Sequence, residues 1–371
     1  MKYFETIIIG GGPSGSSTGI SLLKRGQECC IIDKQSFPRD KTCGGLLSQK
    51  TLDLLSELDL SVDLSCFYVN KTNRLQVLYK NKKGITFDCK NNFYLTRRKI
   101  FDNLLIEEYK KLNGVIFEKE KVIDINFQEK IVVTEKQQLK YKYLVCADGC
   151  KSISQKLVKA KDFGITVEAD IPAELFKFDN RVISLDFGLK KDGYAWIFPK
   201  NEYVTVGYGC PYEKGRNCLD EFNEYLANCG FDKKVPLRMK GATLPYGHND
   251  GKAVAPEANI LLVGDAAGMA DCLTGEGIYF ALKSGVLAAT AIAGKEKVLE
   301  TYQESCRNIF ELVNKSYKVG RVFYRYKRFF MLFAKNQEKR LAHFCDNEIA
   351  YYNYGYNYNM RKKIFSFLWR R

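Results

Sequence analysis

The run Gly10-Gly11-Gly12-Pro13-Ser14-Gly15 constrains this chain more than any other part of it. It follows residues 3–9, an apolar stretch that reads as a short buried strand, and it opens residues 14–25, which read as a helix. Cys29-Cys30-Ile31-Ile32 then reads as a second strand. A G-x-G-x-x-G spacing at a strand-to-helix turn answers three needs together: Gly10 permits a tight turn, Gly12 admits a pyrophosphate close to the backbone, and Gly15 lets helix pack on strand. Pro13 and Ser14 sit where the helix N-terminus offers N–H groups to phosphate. Asp33 ends the second strand eighteen residues past Gly15, where a carboxylate could accept hydrogen bonds from a ribose diol, with Lys34 beside it. The segment is expected to be the β-α-β unit of a dinucleotide site.

Two further strand ends carry acids. Ile260-Leu261-Leu262-Val263 is an apolar strand that runs into Gly264-Asp265, which places a carboxylate at the ligand-binding edge of such a sheet. Thr274-Gly275-Glu276-Gly277-Ile278 then opens an apolar helix over 276–293. Its N–H groups could face the N1/O2 edge of a flavin, and its dipole would favour the negative charge that reduction puts there. This second signal points to FAD rather than NAD. Residues 141–146 form another apolar strand, ending in Asp148-Gly149.

Between these signals the pattern changes. Residues 73–89 partly alternate apolar and polar, as antiparallel strands do; 98–112 look helical; 114–135 look like strands; and 180–210 alternate again with many β-branched and aromatic residues. The expected fold is α/β: a Rossmann-like FAD-binding domain with an inserted antiparallel-sheet substrate domain and a C-terminal helical appendage. The FAD-binding domain is assigned to 1–60, 90–160 and 250–300, the substrate domain to 61–89 and 161–249, and a basic, aromatic helical tail to 301–371.

Charge and cysteine usage narrow the setting. The net charge of +15 favours anionic partners, and 301–371 holds 15 Lys and Arg against 5 Asp and Glu. An apolar fraction of 46% with 27% charged residues excludes a mostly disordered or coiled-coil chain. Thirteen cysteines, an odd number, come without a secretory signal or a Cys-x-x-Cys pair, so neither a disulfide framework nor a metal site is expected. A reducing, cytoplasmic compartment follows. No run reaches about 18 apolar residues, so no membrane-spanning helix is expected.

The ordered set of G-x-G-x-x-G, Ala147-Asp148-Gly149-x-x-Ser152 and Gly264-Asp265-Ala266-Ala267-Gly268 resembles the flavoprotein hydroxylase superfamily, the p-hydroxybenzoate hydroxylase fold. Three pieces narrow the resemblance to geranylgeranyl reductases. Lys41-Thr42-Cys43-Gly44-Gly45 is similar to their Lys-x-Cys-Gly-Gly segment, Tyr194-Ala195-Trp196-Ile197-Phe198-Pro199 to their Tyr-x-Trp-x-Phe-Pro motif, and Cys272-Leu273-Thr274-Gly275-Glu276-Gly277-Ile278 to their Pro-Leu-Thr-Gly-Glu-Gly-Ile loop, with Cys272 in place of the proline. The likeness covers about residues 5–295.

What the resemblance implies is specific. Gly10, Gly12, Gly15 and Asp33 hold the ADP half of FAD. Arg98, in an Arg-x-x-Phe-Asp match, lies near the cofactor. Asp148 borders a nicotinamide groove, Asp265 meets the ribityl or pyrophosphate part, and Gly275 and Gly277 line the isoalloxazine with Ile278. Cys43, between Lys41 and Gly44-Gly45, acts as proton donor or tunes electron transfer, and a cationic neighbour favours a thiolate. Tyr194, Trp196 and Phe198 line an apolar substrate tunnel or fill the core beneath the sheet. The expected activity is reduction of C=C bonds in a prenyl-like substrate by hydride from reduced flavin, with NAD(P)H or another donor binding transiently. The alternative is an aromatic hydroxylase or a halogenase, whose Trp-x-Trp-x-Ile-Pro pattern differs here at Tyr194 and Phe198. The tail suits peripheral contact with the inner face of an acidic membrane, and no nucleic-acid partner is expected.

Overall fold

Ile7, Ile8, Cys30 and Ile31 are all fully buried, and a strand apolar on both faces needs cover on both faces. That requirement shapes the first half of the molecule. The computed structural model describes residues 1–150, 153, 157, 163–189, 192–232, 235–245, 250–255, 259–328, 331, 338, 339, 341, 342 and 345. In chain order the strands are β1 (Lys2–Ile9), β2 (Cys29–Ile32), β3 (Leu46–Leu47), β4 (Asn70–Tyr79), β5 (Lys82–Leu95), β6 (Val115–Phe117), β7 (Val122–Asn126), β8 (Ile131–Thr134), β9 (Gln138–Cys146), β10 (Phe163–Pro172), β11 (Ile183–Asp186), β12 (Tyr194–Pro199), β13 (Tyr203–Pro211), β14 (Met239–Pro245), β15 (Val254–Ala255) and β16 (Ile260–Leu262). The helices are α1 (Pro13–Leu23), α2 (Gln49–Glu57), α3 (Arg98–Lys111), α4 (Cys218–Asn228), α5 (Ile278–Gly294), α6 (Val298–Ser305) and α7 (Arg307–Arg325).

The first sheet has the order β15-β16-β9-β1-β2-β6, with β8 and β7 branching from β9. Its centre is parallel. The three acid- or glycine-bearing strand ends therefore lie side by side, on β16, β9 and β1. Ala147 N–H donates to Ile9 O at 2.8 Å, and Val263 N–H to Cys146 O at 3.1 Å. Helices α1 and α5 cross closely on one face: a Cβ at Gly285 would come within 2.4 Å of Ser14 O, and Ser17 Oγ donates to Leu282 O at 3.1 Å.

The second sheet has the order β14-β10-β13-β12-β11-β4-β5-β3. Its pairs are antiparallel except β11 with β4. On β10, Val167, Ala169 and Ile171 bury against Phe222, Tyr225 and Leu226 of α4. Glu168 and Asp170, alternating with them, face the other way.

The differences from the sequence reading have local causes. Helix α1 starts at Pro13, one residue early, because proline suits the first helical position. Stretch 114–135 divides into β6, β7 and β8. Strand β5 carries the second sheet to Leu95, beyond the 89 expected. Helix α7 buries Ile309, Phe310, Val313, Gly320 and Tyr324, while the basic run 361–371 lies outside the described residues. No helix among the described residues is long and apolar enough to cross a membrane.

Candidate active site

The glycine loop is built by close approaches. Gly10 has φ +100°, and a Cβ there would sit 2.5 Å from Ala147 O; one on Gly15 would sit 1.8 Å from Gly10 O. Gly12 is open by contrast: a Cβ there would come no closer than 3.5 Å, to an Arg39 guanidinium nitrogen. No side chain caps α1. The helix end thus presents N–H groups with a cation nearby, a cradle that fits a pyrophosphate. Asp148 stands against Gly10, its Cα 3.3 Å from the position of a Gly10 Cβ.

Asp33 first serves the protein itself. Its Oδ2 accepts Gly11 N–H at 2.8 Å and its Oδ1 accepts Gln35 N–H at 2.8 Å. The expected ribose contact would use the remaining lone pairs. Lys34 is exposed. Arg39, which sequence reasoning missed, lies 3.8 Å from Asp33 and 3.1 Å from Asp102, with its guanidinium 4.8 Å from the Phe37 ring centre.

Arg98 is buried and doubly hydrogen-bonded to Asp102, each bond 2.7 Å. Burial opposes its charge, but the Asp102 carboxylate outweighs burial and holds the guanidinium above its ordinary range. The Cys43 side chain lies close enough to Arg98 to favour its charge as well. The cation at Cys43 is therefore Arg98. Lys41, expected in that place from adjacency, lies 3.9 Å from Asp265 instead.

The loop before α5 is held from three sides. Asp271 Oδ1 accepts Leu273 N–H at 2.9 Å, Thr274 N–H at 2.8 Å and Ser316 Oγ–H at 2.6 Å. Glu276 accepts Ser48 Oγ–H at 2.7 Å and pairs with the buried Lys50 ammonium. Tyr194 Oη donates to Thr274 O at 2.6 Å, and burial pushes this phenol above its usual range. Gly275 adopts φ +73°. A Cβ at Gly277 would lie 3.6 Å from Asp265 Oδ1, and Ile278 is buried. Gly277 stands at the N-cap of α5, with no side-chain cap. Cys272, in the proline's place, is buried.

Tyr194, Trp196 and Phe198 form a row on β12, with ring centres 5.8 and 6.2 Å apart. Phe187 continues it at 5.5 Å from Tyr194, and Phe323 of α7 at 5.0 Å from Phe187. Gly207 makes room, since a Cβ there would be 2.1 Å from the Trp196 ring. Gly44 packs on the row, its absent Cβ 2.9 Å from both Phe198 and Trp196 Nε1. Gly45 turns at φ +74° and accepts Thr96 N–H at 2.7 Å. Cys43 N–H donates to Glu168 Oε1 at 2.7 Å. Cys43-Gly44 thus lies between Arg98, an aromatic wall and a buried acid. Sequence reasoning missed Glu168 and Lys50, which are distant in sequence from the groups they meet, and gave no role to Asp102 and Asp271, which stand inside or beside the motifs they support.

A long, narrow ligand with a pyrophosphate waist could lie from the α1 terminus towards the 271–278 loop and Cys43, and FAD has that form. The family model that matches residues 3–217 is described as an FAD binding domain. An uncharacterised protein of Methanosarcina barkeri is 32% identical over 340 residues, covering 87% of this chain and 84% of its own. Digeranylgeranylglycerophospholipid reductase of Methanococcus aeolicus is 28% identical, covering 93% and 91%. A solved geranylgeranyl bacteriochlorophyll reductase-like protein from Thermoplasma acidophilum shares 21% identity over 86% of this chain and 87% of its own, with a TM-score of 0.76. With its glycine cradle and parallel sheet, the chain belongs to the FAD-binding domain family and is an FAD-dependent oxidoreductase similar to geranylgeranyl reductases.

Proposed function

We propose that this oxidoreductase reduces isolated C=C bonds in an apolar, prenyl-like substrate. The observation that carries the reading is the packing of Gly44 against Trp196 and Phe198, which brings an aromatic wall to the residue after Cys43. Bound FAD, once reduced, supplies the hydride. In this reading Gly10, Gly12, Pro13, Ser14 and Gly15 hold the pyrophosphate at the α1 terminus. Asp33 fixes that loop and meets the ribose, with Lys34 at its edge. Lys41, Gly44, Gly45, Arg98, Gly264 and Asp265 surround the middle of the cofactor. Gly275, Gly277 and Ile278 line its ring. Cys43 gives the proton, and Arg98 steadies the thiolate left behind. Tyr194, Trp196 and Phe198 exclude water and align the chain. NAD(P)H or another carrier visits transiently at a groove bordered by Asp148. The first sheet serves as the cofactor domain and the second as the substrate domain.

The test is an anaerobic titration. The flavin is reduced with dithionite and geranylgeranyl substrate is added. Reoxidation with loss of a double bond supports the reading. Flavin that stays reduced until oxygen enters, then yields an oxygenated or halogenated aromatic product, replaces it with the hydroxylase or halogenase alternative. Cys43→Ser is expected to cut turnover on the order of 10²-fold with FAD still bound, and unchanged turnover would remove Cys43 from the mechanism.

The outer face of α7 exposes Lys318, Arg321, Val322, Arg325 and Tyr326, which supports peripheral contact with an acidic membrane. Because α7 also holds Asp271, charge substitution tests this better than truncation. Lys318→Glu with Arg321→Glu and Arg325→Glu is expected to abolish sedimentation with phosphatidylglycerol vesicles. Equal sedimentation of both proteins would refute the contact.

A further inference from the structure

Glu168 stands out among the buried acids. It is 5% exposed, on β10, in register with Gly207 of β13, which in turn pairs with Trp196 of β12. Acid, glycine and tryptophan thus form one cross-strand row on the face opposite α4. The glycine leaves no side chain between the other two. Oε1 accepts the Cys43 N–H, while Oε2 is buried without a hydrogen-bond partner among the described residues. Trp196 Nε1, which touches the same Gly44, is likewise buried and unpartnered.

A buried carboxylate with one bare oxygen is costly, whereas a neutral carboxyl carries its proton on that oxygen at much lower cost. The charged groups facing Glu168 are Lys200 from the end of β12, Asp170 on its own strand and Lys240 across β14. None of the three forms an ion pair with it among the described residues. Asp170 accepts Thr205 Oγ–H at 2.6 Å, and Lys240 is drawn to Asp40 at 2.7 Å and Asp170 at 3.2 Å. Desolvation therefore prevails and raises the Glu168 carboxyl to about 7.

We propose that Glu168 is the proton reserve of this site, acting through Cys43. The inference rests on the alkene-reductase reading. Each double bond reduced takes one hydride and one proton. The Cys43 S–H bond breaks as a C–H bond forms on the substrate, leaving a thiolate beside Arg98. The Glu168 side chain, already held against Cys43 by the bond to its N–H, then turns its proton towards the thiolate, the O–H bond breaks and the S–H bond is re-formed. The carboxylate that remains regains its proton from solvent. Glu168 is a positioning and proton-supply residue, since Cys43 meets the substrate.

The reserve works only when protonated, so steady-state turnover is expected to be level below about pH 7 and to fall above it. Glu168→Gln keeps an acceptor for the Cys43 N–H and cannot supply a proton. It is expected to bind FAD normally, to slow turnover on the order of 10²-fold and to lose the fall near neutrality. Glu168→Asp should restore part of the turnover together with a pH-dependent limb. A readout free of activity accompanies these: infrared difference spectra of wild type against Glu168→Gln, without substrate, should show a protonated carboxyl band that fades as pH rises through about 7. An unchanged pH profile in Glu168→Gln, or no such band at pH 5.5 on the order of a unit or more below that midpoint, overturns the proton reserve while leaving the reductase reading intact. If Glu168→Gln does not fold, the Asp variant and the wild-type band decide. A wild type that never passes electrons to a prenyl alkene overturns the reading and this inference together.

Discussion

The hydroxyl of Tyr194 lies 2.5 Å from where a Cβ on Gly275 would stand. One residue of the aromatic wall therefore dictates the residue type in the loop before α5. Gly275 also has φ +73°, which an L side chain adopts only with strain. Gly275→Ala is expected to weaken FAD binding at least about tenfold, equivalent to ~1.4 kcal/mol, as measured by flavin fluorescence titration. Tyr194→Phe should cost only about 1 kcal/mol of stability, and it should relieve part of the Gly275→Ala defect. Additive losses in the double variant would show that the two positions are independent.

Asp33 bears on both folding and cofactor retention. Asp33→Ala strands the N–H groups of Gly11 and Gln35. A loss of about 2–3 kcal/mol is expected in urea unfolding, together with release of FAD on gel filtration. Asp33→Asn, which keeps one acceptor, should retain more of both.

Lys50 and Glu276 tie the segment after Cys43 to the loop before α5. Lys50 is almost wholly buried, so removing the Glu276 carboxylate takes away a counter-charge where water cannot replace it. Glu276→Gln is expected to lose about 3–5 kcal/mol. Lys50→Met with Glu276→Gln should recover much of that. A double variant no more stable than the single one would contradict the pairing.

Glu168 links stability to pH. Its folded carboxyl is raised to about 7 from an ordinary 4.5, so between those values the folded state holds more protons than the unfolded state. Wild-type stability should therefore fall as pH rises through this window. Relative to wild type, Glu168→Gln should gain on the order of 3 kcal/mol between pH 4.5 and 7, read from paired denaturation curves. A difference that stays constant with pH would show that the acid is already ionised at low pH.

Much of the cofactor half was legible because its signals are local. Gly10, Gly15 and the apolar run before them announce a turn that only one supersecondary unit uses, and Asp265 and Asp148 mark neighbouring strand ends. Glu168 shows where such reading stops. Strand β10 carries the alternation Ile165, Val167, Ala169, Ile171 against Thr166, Glu168 and Asp170, so its existence could have been read. Its register with Gly207 and the meeting of Glu168 with Cys43, 125 positions away in the chain, are set only by tertiary pairing. The cation at Cys43 was misplaced for the same reason. Lys41 is adjacent in sequence, but the turn at Gly45 brings Arg98 to the thiol. Arg39 carries no spacing that would single it out, and only the folded loop sets it over Gly12.

Helix α7 has a consequence for how the enzyme is made. Ser316 supplies one of the bonds to Asp271 Oδ1, and Phe323 continues the aromatic row. A growing chain that has emerged only to α5 holds every cofactor motif yet lacks the side chains that lock the last loop. The loop before α5 is therefore fully held only once α7 has been made and has folded against it.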